Sequence, residues 1–171
     1  MRRAGPALAW AALLLPLGGC GLHPLYAGGS KGAVGQVLAG IEVGPIGGRG
    51  GWLVRNALTD RLSAAGGGTP RYRLQVELED QIQAFGIQRD ASVTRERRTL
   101  RARYKLIDAG DGTVVLDATA GSDAGIDVVT SEYAVIAAEQ TALENLSQQL
   151  ADQIIARIAL YASRGGTPAA K

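Results

Sequence analysis

The chain has 171 residues, with 18 Lys and Arg, 16 Asp and Glu, one cysteine and one histidine. Arg2 and Arg3 lie in a segment that we predict below to be removed. This removal leaves 16 side chains of each charge, so the composition gives no basis for bulk affinity for nucleic acid. The single cysteine excludes an internal disulfide, and the single histidine argues against a Ser-His-Asp triad.

The first 20 residues have the architecture of a bacterial lipoprotein signal peptide. Two arginines precede an almost continuously apolar run over residues 7–17, and the chain then reads Leu17-Gly18-Gly19-Cys20. The run is too short for a transmembrane helix, which needs about 20 apolar residues. Leu at −3, small residues at −2 and −1, and Cys at +1 match the lipobox. We therefore predict cleavage before Cys20, with an S-diacylglycerol and an N-acyl lipid on that residue; the alternative is a free thiol after an ordinary cleavage site.

The predicted organisation has four parts. Residues 1–19 are the signal peptide, 20–36 a lipidated tether, 37–162 a single α+β domain and 163–171 a flexible tail. Gly21 stands where an Asp commonly retains lipoproteins at the inner membrane. We therefore expect a lipid-anchored protein of the outer membrane that faces the periplasm.

The first half of the domain predicts one strand and one helix. Apolar residues alternate from Val37 to Val43 and indicate a strand that ends at Pro45. Glycines at 47–51 lack the GK[ST] or GxGxxG pattern of a phosphate-binding loop and predict a plain turn. Helical spacing then extends from Trp52 to Ala65, and the glycines after it end the helix.

The second half predicts three strands and a long helix. Period-two alternation indicates strands from Tyr72 to about residue 82, then over about 93–107 and 113–120, with a turn at 109–112. Residues 121–131 are predicted to be a loop. A helix follows over about 131–162, and its apolar stripe comprises Ala142, Leu146, Leu150, Ile154, Ile158 and Tyr161. The predicted fold is a two-layer α+β sandwich, with two helices on a four-stranded mixed or antiparallel sheet in the order β-α-β-β-β-α.

No catalytic or metal-binding pattern is present in the sequence. There is no GxSxG elbow, HExxH pair or CxxC cluster, so we predict a protein that is not an enzyme and has no metal or dissociable cofactor. Glu77 and Glu79 fit a solvated strand face. Asp117, Asp123 and Asp127 have the spacing of turns and loops and do not follow the EF-hand pattern.

One strand carries an unusual row of cations. The odd-numbered face of the third predicted strand contains five of them, opposite an apolar even-numbered face: Arg95, Arg97, Arg101, Arg103 and Lys105. A row of one sign favours an anionic ligand or partner. The alternative is that these side chains pair with Glu77 and Glu79 across the sheet.

Several segments resemble the lipopolysaccharide-assembly lipoprotein family, LptE. They are Cys20-Gly21-Leu22-His23-Pro24-Leu25-Tyr26, residues 55–62, Thr94-Arg95, residues 102–108, Tyr133-Ala134 and Ala137-Ala138-Glu139. The resemblance spans most of residues 20–162 and implies the same fold of two helices on a four-stranded sheet. It also implies a lipoprotein that plugs the LptD β-barrel, assists its assembly and helps lipopolysaccharide reach the outer leaflet. An auxiliary lipoprotein of an ABC- or MCE-type envelope lipid transporter is the competing class, and a small envelope hydrolase is a weaker third.

Overall fold

The structure is a computed structural model that describes residue 29, residues 32–87 and residues 93–165. The predictions for the signal peptide, Cys20 and most of the tether and tail lie outside the described residues. The elements are α1 (Ala33–Ala39), β1 (Ile41–Val43), α2 (Gly48–Ser63), β2 (Tyr72–Ile87), β3 (Val93–Asp108), β4 (Val114–Asp127) and α3 (Glu132–Ser163).

The four strands form one open mixed sheet in the order β1-β2-β3-β4. β1 runs parallel to β2, with Ile41 opposite Tyr72, whereas β2, β3 and β4 are antiparallel neighbours. This arrangement confirms the predicted α+β class and the predicted order of the strands and the two longer helices. The short helix α1, which precedes β1, was not predicted.

The core lies between the helices and one face of the sheet. Even-numbered side chains of β2 and β3 point into it, and Leu74, Leu100 and Leu106 are fully buried there. The facing helices contribute Val54 and Leu58 from α2 and a continuous buried face of α3, which includes Leu143, Leu146, Leu150, Ile154, Ile158 and Ala159. No element of the described chain covers the opposite, outer face of the sheet.

The long helix agrees closely with its prediction. α3 has 32 residues, and Ser131 caps it by accepting a hydrogen bond from the backbone N–H of Ala134 at 3.4 Å. At 1.5 Å per residue its length is about 48 Å, so it extends along most of the sheet.

The predicted strand over residues 37–43 is largely wrong, because residues 33–39 are helical. Val34 and Leu38, four residues apart, are both buried and form the inward face of this helix. The apolar alternation that continues through Val37 and Ala39 predicted a strand instead. Hydrogen bonding to the start of β2 begins only at Gly40, whose carbonyl accepts hydrogen bonds from the N–H groups of Arg71 and Tyr72.

The predicted turn over residues 47–51 is also wrong, because α2 begins at Gly48. A Cβ on Gly50 would lie 3.4 Å from side-chain carbons of both Leu143 and Leu78, and one on Gly51 would lie 2.7 Å from the Ile46 carbonyl oxygen. These two glycines therefore let the first turn of the helix approach its neighbours closely.

The predicted loop over residues 121–131 is a strand as far as Asp127. Gly121, Ser122 and Gly125 have low strand propensity, but residues 95–101 of β3 need a hydrogen-bonding partner. Backbone pairing overrides propensity here, because strand propensity depends strongly on context.

Candidate ligand- or partner-binding face

The outer face of the sheet brings the five predicted cations together on β3. We call Arg95, Arg97, Arg101, Arg103 and Lys105 the arginine row. Even-numbered β3 residues such as Leu100 and Tyr104 are 0% and 1% exposed, so the alternation of the strand turns the row outward. Its four arginines are exposed and Lys105 is half-buried.

Three arginines of the row form ion pairs with aspartates of β4. Arg103 donates two hydrogen bonds to Asp117, at 3.0 and 3.3 Å, and Arg95 donates one to Asp127 at 2.9 Å. Arg97 lies 3.8 Å from Asp123, and its guanidinium carbon is 5.3 Å from the centre of the Phe85 ring.

The partners of these arginines differ from those considered in the sequence. The register sets Glu77 opposite Arg103 and Glu79 opposite Arg101, but the ion pairs that the row makes within the described residues are with aspartates of β4. Asp117, Asp123 and Asp127 were interpreted as turn and loop residues from their spacing, and the end of β4 was predicted to be a loop. Their shared odd numbering was a signal that they could occupy one strand face.

Carboxylates therefore flank the arginine row on both sides. Hydrogen bonds from Arg103 to Asp117 raise the pKa of Arg103 above its ordinary value, so this guanidinium stays fully charged. Because Glu77, Glu79 and the three β4 aspartates balance the five cations, the face as a whole carries little net charge. Any anion must be recognised locally, at particular side chains.

Arg101 is exposed, and its guanidinium N–H groups can donate hydrogen bonds to a ligand. Within the described residues it forms no ion pair, and neither does Lys105. Arg101 lines a shallow depression of about 420 Å³ that also contains Arg97 and Thr99, with Glu79, Gln81 and Gln83 opposite. Two guanidinium groups and a hydroxyl can together donate several hydrogen bonds to a phosphate.

A second polar cluster lies on the inner face, and sequence reasoning missed it. Arg98 donates hydrogen bonds to both oxygens of Asp80, at 2.9 and 2.6 Å, and a third at 3.0 Å to the backbone carbonyl of Glu139 in α3. Its side chain is only 12% exposed. The hydrogen bonds to Asp80 are the main cause that raises the pKa of Arg98 above its ordinary value. Through its bonds to Asp80 and to the Glu139 carbonyl, Arg98 links the β2–β3 hairpin to the long helix.

Glu96 is the unsatisfied member of this cluster. Its Oε2 atom is buried and has no hydrogen-bond partner among the described residues. Removal from water, followed by the negative charge of Glu139, raises the pKa of Glu96 above 4.5. An acid with a raised folded-state pKa costs stability as the pH rises from its unfolded pKa through its folded pKa, because the unfolded chain releases the proton more readily.

We therefore expect Glu96→Gln to stabilise the protein at pH 7. The amide removes the repulsion from Glu139 and can donate a hydrogen bond to it. The measurement is the thermal midpoint at pH 4 and pH 7, with the exposed Glu144→Gln as the matched control. The wild type should lose stability relative to Glu96→Gln as the pH rises; an unchanged difference between the two proteins would contradict the assignment.

The described residues contain no group of three or more His, Cys, Asp or Glu that could hold a metal ion. Among the same residues, no helix combines the length and apolar character required to cross a bilayer.

Several solved structures with the same fold are described as bacterial lipoproteins. A lipoprotein from Caulobacter crescentus CB15 is 28% identical, with a TM-score of 0.65 over 77% of this chain and 98% of that one. A minor lipoprotein from Acinetobacter baumannii is 12% identical, with a TM-score of 0.58 over 70% and 90% of the two chains. The rare lipoprotein B from Shewanella oneidensis is 11% identical, with a TM-score of 0.55 over 72% and 96%. A search of curated proteins gave no match.

The fold thus defines an α+β domain of the kind found in these lipoproteins. The LptE family model, described as lipopolysaccharide-assembly, matches residues 38–158, which is most of the chain. The chain belongs to the LptE lipopolysaccharide-assembly family, as its sequence resemblance indicated. Membership supports a role in lipopolysaccharide assembly as an envelope lipoprotein, and the family is non-enzymatic.

Proposed function

We propose that this protein is an outer-membrane lipoprotein that plugs an LptD-type β-barrel and assists the assembly of that barrel. Its outer sheet face binds lipopolysaccharide during delivery to the outer leaflet, and it catalyses no reaction. The lipid on Cys20 anchors it with the domain facing the periplasm. The observation that carries the proposal is the arginine row on a sheet face that no described element covers.

The character of the outer face supports a place inside a barrel. Large barrels have polar interiors, and a plug must present polar side chains to them. Alternating cations and carboxylates on β2, β3 and β4 offer hydrogen bonds of both kinds at low net charge. Such a face can contact a polar lumen without strong electrostatic repulsion.

The distribution of ion pairs indicates where phosphate would bind. Arg95 and Arg103 already donate hydrogen bonds to carboxylates at about 3 Å. Arg97 is held loosely at 3.8 Å and Arg101 has no ion pair among the described residues, so these two can bind phosphate at the smallest cost. We assign the phosphate contacts of lipopolysaccharide first to Arg97 and Arg101, with the remaining members of the row at the periphery.

A comparison of paired substitutions tests this assignment. We expect Arg97→Ser/Arg101→Ser to weaken lipopolysaccharide binding by more than about tenfold, since each charge-assisted hydrogen bond contributes about 1.5–3 kcal/mol. Arg95→Ser/Arg103→Ser is the matched control, with the same charge change but arginines that are already paired, and should weaken binding less. Affinity is measured at low and moderate salt, beside the thermal midpoint of each variant.

The control results distinguish the roles of the face. Equal loss of affinity in both double variants would contradict the assignment to Arg97 and Arg101. If Arg97→Ser/Arg101→Ser binds lipopolysaccharide as tightly as the wild type but impairs barrel assembly, these arginines instead contact the barrel partner. Co-purification from membranes tests the partner itself: a large outer-membrane barrel supports the proposal, and an ABC- or MCE-type complex would replace it with the transporter alternative.

A further inference from the structure

β4 is a long strand with one unpaired edge. It is the last strand of the sheet and spans 14 residues, so no described strand pairs with its outer side. In an antiparallel ladder, alternate residues direct both backbone groups toward or away from the neighbouring strand. From Thr119 to Asp127, the backbone N–H and C=O groups of odd-numbered residues point away from β3, and those of residues 119, 123, 125 and 127 are available to another strand.

This edge lacks the usual protection against pairing with another chain. Natural edge strands are commonly shielded by Lys, Pro or bulges, and β4 contains no Lys, Arg or Pro. Its register irregularity lies at the start of the strand, opposite Leu106 and Ile107. Asp117, Asp123 and Asp127 could repel another chain, but their charges are balanced by arginines of β3.

One side chain of α3 occupies the middle of the edge. The Gln153 Oε1 atom accepts a hydrogen bond from the Gly121 N–H at 3.3 Å, and the Gln153 Nε2 atom donates one to the Gly121 carbonyl at 3.2 Å. The amide thus makes both bonds that a neighbouring strand would make to this residue. The nearby Gln149 instead contacts the Ser122 hydroxyl, at 2.6 Å, and leaves the edge backbone untouched.

We infer that Gln153 blocks edge-to-edge pairing of β4 with β4 of a second copy of this chain. Gly121 is near the midpoint of the strand, so its occupation divides the free edge into two short pieces. Antiparallel pairing centred on Gly121 would set Asp117 opposite Gly125 and Thr119 opposite Asp123. No carboxylate would directly face another, so the second copy is a complementary partner once the amide is removed.

The test uses the full chain as it is extracted from membranes in detergent, and sedimentation measures its oligomeric state. We expect Gln153→Ala to form a dimer whose fraction rises with concentration, whereas the parent and the matched control Gln149→Ala remain monomeric. Alanine favours helix, so α3 should persist, and far-UV circular dichroism checks this. In the dilute monomer, the Gly121 amide should exchange with solvent about tenfold faster than in the parent.

A second substitution identifies the dimer interface. Proline at an outward-facing edge position removes a pairing donor without removing a bond to β3, so Gln153→Ala/Thr119→Pro should return to a monomer. A persistent dimer in this double variant would overturn the inference, because pairing would then lie elsewhere. A monomeric Gln153→Ala with rapid Gly121 exchange, or an equal dimer in Gln149→Ala, would overturn it as well.

Discussion

Replacing Leu150 by aspartate is expected to unfold the domain. Leu150 is fully buried on the face of α3 that packs against the sheet, within the same core as Leu100 and Tyr104. A carboxylate there would have to lose its hydration or take up a proton, at a cost of several kcal/mol. Domains of this size are stable by about 5–15 kcal/mol, so the loss is comparable to the whole stability.

Urea unfolding followed by circular dichroism measures this effect. Leu150→Ala is the graded variant and should lose about 2–5 kcal/mol, because it leaves a cavity without burying a charge. Asn145→Asp introduces the same carboxylate at an exposed position of the same helix and should change stability little. If Leu150→Asp unfolds cooperatively at the midpoint of the wild type, the assignment of the buried face of α3 is wrong.

Replacing Cys20 by alanine is expected to abolish lipid attachment. The chain has no other thiol, so no other residue can receive the diacylglycerol. Each buried methylene of an acyl chain contributes about 0.8 kcal/mol, and the loss of all chains should release the protein from the membrane or leave an uncleaved precursor. Labelled palmitate and membrane fractionation measure the two consequences separately.

Gly21→Asp provides the matched control for this prediction. It leaves the thiol in place, so the protein should still take up palmitate, but it should shift toward the inner membrane if the residue after Cys20 directs sorting. Palmitate incorporation by Cys20→Ala, together with retention in the outer-membrane fraction, would contradict the lipobox interpretation.

The two polar clusters of the sheet have different consequences. Arg98 on the inner face is shielded and linked to the backbone of α3, so it contributes mainly to the attachment of the hairpin to the helix. Arg97 and Arg101, its close neighbours on the same strand, face outward and keep the capacity to bind an anion. A single strand therefore carries both a structural arginine and the proposed binding arginines, separated by the alternation of its side chains.

The sequence by itself determined the elements in which the spacing of apolar residues matches the side chains that are buried in the folded domain. The apolar stripe of α3 follows the helical period over many turns, and Ser131 marks its start, so the limits of the helix were predicted within about one residue. Strict alternation in β3 placed Leu100 and Tyr104 inside and the arginine row outside. These signals depend only on backbone geometry and on the burial of apolar side chains.

The tertiary structure decided the elements whose local pattern is ambiguous. Residues 121–127 become a strand because β3 offers them a ladder, and residues 33–39 become a helix because Val34 and Leu38 are buried against neighbouring elements. It also decided that the arginine row pairs with aspartates of β4 and that Gln153 covers the Gly121 peptide. Such contacts join residues distant along the chain, and their register depends on how the strands and α3 pack together, which local patterns do not encode.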